Sequence, residues 1–122
     1  MLKKLFISLV FSYFLFANNE SSLAHASLVS SYPKANSIIY TAPKKITLTF
    51  NEELLNIKNK PINKITVLGP GALEFKSTIQ VSGRKIFLKV PSLNSKGEFQ
   101  VNWRAVSKDG HVLTGNFKFT IN

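Results

Sequence analysis

The chain contains two histidines, His25 and His111, and no cysteine. Any metal chemistry it performs must therefore use nitrogen and oxygen ligands, because no thiolate is available. His25 sits in SSLAHASLVSS, residues 21–31, just after an apolar N-terminal stretch. This segment carries two overlapping signal-peptidase sites. A cut after Ala24 reads Ser22, Leu23 and Ala24 as its small-x-small triplet; a cut after Ala26 reads Ala24, His25 and Ala26. The first makes His25 the new N-terminus, and the second discards it. An N-terminal histidine offers an α-amine and an imidazole Nδ1 that together close a chelate ring. That amine has an ordinary pKa near 8, so its proton is lost cheaply to a metal at neutral pH. His111, in the SKDGH stretch of residues 107–111, would add a second imidazole. Three nitrogens in a T suit Cu(II), which favours tetragonal nitrogen and oxygen ligation. Zn(II) would want a fourth ligand in a tetrahedron. Taken singly, each histidine reads as a solvated loop residue, and only the pair points to a metal.

Three acids stand close to strand ends. Asp109 lies two residues before His111, where its carboxylate could ligate weakly or accept a hydrogen bond from the bound amine. It is also the first residue of an Asp-Gly turn pair, for which an Asx turn alone is a sufficient explanation. Glu52 and Glu53 follow Phe50 at the end of a strand pattern. With two histidines, one of them near the cleavage site, no Ser/His/Asp arrangement is credible. No Gly-rich phosphate loop is present.

The elements that must position these residues begin with an export signal. Lys3 and Lys4 precede an apolar run from Leu5 to Ala17, and a polar stretch leads to Ala24. The pattern is that of a cleaved signal peptide over residues 1–24, since the apolar run is shorter than the roughly 20 residues a spanning helix needs. Residues 25–122 then form one domain, exported to the periplasm. Without cysteine it has neither a disulfide nor a lipidated thiol, so its core must hold it together. Setting aside Lys3, Lys4 and Glu20 takes the 16 basic and 6 acidic residues to 14 and 5, a net charge of +9. The cations are mostly lysines spaced singly along the chain. Nucleic-acid binding would favour clustered arginines with interleaved aromatics, so no nucleic-acid partner is expected. A solvated lysine surface with some attraction to anionic lipid headgroups fits better.

Period-two alternation dominates residues 25–122. KKITLTF, NKITVLG, RKIFLKV, EFQVNW and NFKFTI each present one apolar face, which is the signature of half-buried strands. LEFKSTIQV (residues 73–81) and ASLVSS (residues 26–31) read as two weaker strands. LLNIKNK (residues 54–60) has room for one helical turn. About seven short strands separated by turn residues predict an all-β, immunoglobulin-like Greek-key β-sandwich, with Trp103 and the phenylalanines filling the core.

The same chain resembles the CopC family of periplasmic copper-binding proteins. The resemblance is carried by HASLVSSYP (His25–Pro33), APKKITLTFNE (Ala42–Glu52) and VNWRAVSKDGHVLTG (Val101–Gly115), followed by Phe117 and Phe119. It favours the cut after Ala24, because the family's first mature residue is a histidine ligand and maps to His25. It further implies His111 and Asp109 as the D-x-H ligand pair, and Glu52 as an additional ligand found in some members. The implied function is a non-enzymatic carrier or buffer for one Cu(II) per mature chain, acting as a monomer in copper homeostasis or resistance. A CopD-type inner-membrane protein is the implied partner. Two features depart from the family pattern. The only methionine is Met1, so no Cu(I) methionine site is expected, and Val112 stands where a proline often follows the motif histidine. Two other readings compete. One is a copper histidine-brace monooxygenase, which needs a flat aromatic platform that this chain does not suggest. The other is a metal-free interaction module.

Overall fold

The computed structural model describes residues 26–75, 77–90, 93 and 95–122. The signal peptide expected over residues 1–24 and the ligand expected at His25 lie outside them. Nine strands are present among the described residues: β1 (Leu28–Tyr32), β2 (Ile38–Ile39), β3 (Lys45–Phe50), β4 (Lys64–Leu68), β5 (Glu74–Phe75), β6 (Ile79–Ser82), β7 (Lys85–Lys89), β8 (Gly97–Val106) and β9 (Val112–Ile121). They form two sheets, ordered β1-β3-β7-β6 and β2-β9-β8-β4-β5. This is the all-β sandwich expected from the sequence. All pairings are antiparallel except β2 with β9, which is parallel.

Alternation explains the packing. Ile46, Leu48 and Phe50 of β3 point inward, as do Ile86 and Leu88 of β7, Phe99 and Val101 of β8, and Phe119 and Ile121 of β9, and all are buried. Each fully buried side chain of this kind contributes about 1.5–3 kcal/mol, and this burial takes the place of a disulfide in a chain without cysteine. Its centre is aromatic: Phe99 and Phe119 stack at 5.3 Å, and Phe50 meets the Trp103 ring edge-on at 5.3 Å. Trp103 is only half-buried, so it flanks the core instead of filling it.

Three details differ from the sequence reading. Residues 73–81 are two strands on different sheets: β5 pairs with β4, and β6 pairs with β7. Phe75 packs beside Phe99 on one sheet, while Ile79 and Val81 pack on the core from the other, so the chain must cross between them. Residues 54–60 contain no helix. Leu54 is buried and bridged to Ser107, which draws this backbone into sheet-like pairing. Strand β2 escaped the reading because two adjacent isoleucines have no periodicity.

Gly115 faces Trp103 directly across β8 and β9. A Cβ built there would lie 2.4 Å from Trp103 Cζ2, so the indole occupies the space a side chain would need. Gly115→Ala should therefore destabilise the domain by about 1–3 kcal/mol, read as a lower urea midpoint with an unchanged m-value. An unchanged midpoint would show that the indole moves aside freely.

Candidate metal centre

Strands β8 and β9 form a long hairpin whose last pair is Val106 with Val112. The connecting residues 107–111 close on themselves. Gly110 N donates to Ser107 O at 2.8 Å, and Ser107 N donates to His111 O at 2.9 Å. Gly110 has φ +92°, a conformation that L side chains rarely adopt. The glycine thus permits the reversal that brings His111 back beside Asp109.

Within this turn one carboxylate organises three groups. Ser107, fully buried, donates its hydroxyl to Asp109 Oδ1. The same oxygen accepts the backbone N–H of His111 at 3.2 Å. The other oxygen, Oδ2, lies 2.7 Å from His111 Nδ1. When Nδ1 carries the proton and donates it, the lone pair is left on Nε2. This is the carboxylate–imidazole arrangement that fixes the tautomer and orientation of metal-binding histidines. The Ser107 hydroxyl first, and His111 second, hold the Asp109 carboxyl down from 3.8 to about 2.

The turn is held at one end of the sandwich by residues 51–55, just beyond β3. Asn51 N donates to Ser27 O at 3.1 Å, and Ser27 N donates back to Asn51 Oδ1 at 2.6 Å. Leu54 N donates to Gly83 O at 2.9 Å, Leu55 N to Val106 O at 2.8 Å, and Lys108 N to Glu53 O at 3.0 Å. Buried Asn63 completes the brace: its amide donates to Leu55 O and accepts from Val106 N, both at 2.8 Å. The residue two places after His25 and the His111 turn are therefore fastened to the same short segment.

Among the expected site residues, Asp109 and His111 are in direct contact. Glu52 is half-buried, and its side chain has no hydrogen bond or ion pair among the described residues. Glu53, the other carboxylate considered, pairs with Lys108 at 2.8 Å. That contact lowers the Glu53 carboxyl and raises the Lys108 ammonium. Among the described residues no three of His, Cys, Asp and Glu gather as a metal-binding group; His25 lies outside this set. Sequence reading missed Ser107 and Asn51. Ser107 was detectable in principle, since Ser-x-Asp is a local turn pattern. Asn51 was not, because its partner is 24 residues away.

The fold is thus a β-sandwich that presents a carboxylate-oriented imidazole at one end. Residues 28–122 match the CopC domain, and the chain belongs to that family, one of copper-binding resistance proteins and not of enzymes. It is 36% identical over 109 residues to copper resistance protein C of Escherichia coli, covering 83% of this chain and 84% of that one. CopC from Methylosinus trichosporium OB3b superposes with a TM-score of 0.67 at 26% identity, over 80% of this chain and 94% of that one. PcoC, a methionine-rich copper resistance protein from Escherichia coli, does so with a TM-score of 0.66 at 29% identity, over 81% and 100%.

The depressed Asp109 carboxyl gives a pH test. Its folded pKa is below its unfolded value, so ionisation favours the folded turn. That contribution is complete above the unfolded value near 3.8 and disappears as the pH falls through about 2. Carboxyl-carbon NMR should place the Asp109 midpoint near 2, and Ser107→Ala should move it up towards 3.8. A midpoint that ignores the serine would remove Ser107 from the network.

Proposed function

We propose that this protein is an exported, periplasmic carrier or buffer of Cu(II) in copper resistance, holding one ion per processed chain. The amine and imidazole of His25 supply two nitrogens once the signal peptide is cut after Ala24. The His111 imidazole supplies the third. Asp109 orients His111 through Nδ1, and its carboxylate becomes a weak oxygen ligand only by leaving that contact; Glu52, with no side-chain partner among the described residues, is a further oxygen donor at the same end.

The observation that carries this reading is the 2.7 Å contact between Asp109 Oδ2 and His111 Nδ1. It prepares one imidazole nitrogen for a metal without further reorganisation. The Asn51–Ser27 clamp supports it by tying the start of the domain to the end that bears His111. The ligand chemistry favours Cu(II) over Cu(I). PcoC is described as methionine-rich, whereas this chain has Met1 alone and so no thioether in the processed domain. Delivery to a CopD-type inner-membrane protein, by a monomeric carrier, follows from the family resemblance.

Binding must release protons, because amine and imidazole ligate only when deprotonated. Cu(II) titration of residues 25–122, followed by EPR, should give one tight, nitrogen-rich tetragonal site whose affinity falls as the pH is lowered. His111→Ala should weaken it at least 10-fold, on the order of the effect of a lost ligand or its orienting partner. An extra residue ahead of His25 should abolish the chelate. Stoichiometric Cu(II) binding that survives both changes would exclude this site. Peroxide production by the copper-loaded protein would favour the monooxygenase reading instead.

A further inference from the structure

Three of the lysines that the sequence disperses meet on one face of the sandwich. On the outer face of the four-stranded sheet, Tyr32, Thr47, Phe87 and Gln80 form one cross-strand row. Ser30, Thr49, Lys85 and Ser82 form the row on one side of it, and Lys45 faces Lys89 on the other. Lys45, Lys85 and Lys89 are exposed, and Tyr32 is 56% exposed. No acidic side chain lies on these strand faces. The five acids of the described residues are elsewhere: Glu52, Glu53 and Asp109 at the metal end, Glu74 on β5 and Glu98 on β8.

The other sheet differs. There Glu98 and Lys118 pair at 3.3 Å across β8 and β9. On the four-stranded sheet two lysines stand directly opposite each other, Lys45 and Lys89, a like-charge pairing that weakens a sheet. Among the described residues the compensation is aromatic, with Lys45 Nζ lying 4.7 Å from the Phe87 ring centroid. An uncompensated cationic sheet face with a flanking tyrosine and phenylalanine calls for an anionic partner that is broad and flat.

We propose that this face docks on an anionic lipid bilayer, with Lys45, Lys85 and Lys89 against the headgroups and Tyr32 and Phe87 at their level. Tyrosine with lysine is the combination that interfaces select, and a four-stranded sheet offers a surface roughly 15–20 Å wide. The metal end, beyond Phe50 and Arg84, then lies at the margin of the contact and stays open to a membrane partner. The surface is independent of the copper site in residues and in test.

Flotation of residues 25–122 with phosphatidylcholine vesicles containing phosphatidylglycerol, at about 0.1 M salt, reads the proposal. Binding should be absent on phosphatidylcholine alone and should fall as salt is raised. The triple variant K45S/K85S/K89S should lose on the order of 100-fold, about five-fold per lysine. K64S/K118S removes lysines from the outward positions of β4 and β9 on the opposite sheet and should stay within about two-fold of the native chain, because stacked sheets stand about 10 Å apart, a full screening length at this salt. Equal losses per lysine in the two variants would mean net charge alone, and would overturn the docking face. So would native protein that ignores the vesicles but binds polyglutamate through Lys45, Lys85 and Lys89, which would identify an acidic polypeptide as the partner. Cu(II) binding by K45S/K85S/K89S should match that of the native chain, so that failure of the face and failure of the metal site are read separately.

Discussion

The end of the molecule that matters depends on five residues with no strand of their own. Asn51 to Leu55 leave β3 at the rim of one sheet, and their backbone groups bond in turn to Ser27, Gly83, Val106 and Lys108. The start of the domain, the β6–β7 turn and the tip of the β8–β9 hairpin are thereby joined. Buried backbone groups must find partners, and here the partners come from both sheets. The sandwich is consequently closed at this end by a staple of hydrogen bonds. Without that staple the two sheets would still pack through their aromatic core, but nothing would set the position of Ala26 and Ser27 relative to the His111 turn.

On that support the Ser107–Asp109–His111 network is a chain of short-range decisions. A buried hydroxyl fixes a carboxylate, and the carboxylate fixes a ring. Hydrogen bonds to an ionised acceptor are stronger than neutral ones, which suits an otherwise exposed loop that lacks core packing to hold it. The Glu53–Lys108 pair lies on the solvent side of the same turn. Exposed ion pairs contribute little to stability, so this one adds little to the hold on the turn. The proposed coupling of export to copper binding follows from the same economy: one ligand nitrogen, the α-amine, is created by the cut.

The two outer faces of the sandwich carry different electrostatics although the sequence distributes lysine evenly. Strand pairing brings Lys45 of β3 opposite Lys89 of β7, residues 44 apart in the chain, and sends the acids of the described residues to the other sheet or to the end that bears His111. A uniform linear spacing thus becomes a polarised surface, since period two places every second residue of a strand on one face.

The amino-acid sequence by itself determined the fold class and the pair of groups most suited to a metal. Inward alternation in β3, β4, β7, β8 and β9 is a local property of consecutive residues, and the two histidines are conspicuous because they are alone. It also held the family motifs, which contain Asp109 and His111 at a spacing of two. What it could not hold was anything that depends on which strands become neighbours. The division of residues 73–81 between sheets, the Asn51 clamp on Ser27, the pairing of Glu53 with Lys108 and the face that gathers Lys45, Lys85 and Lys89 are contacts between residues far apart in the chain. Each is decided by register and by the demand of buried backbone groups for partners, and those are satisfied only when the two sheets have closed on each other.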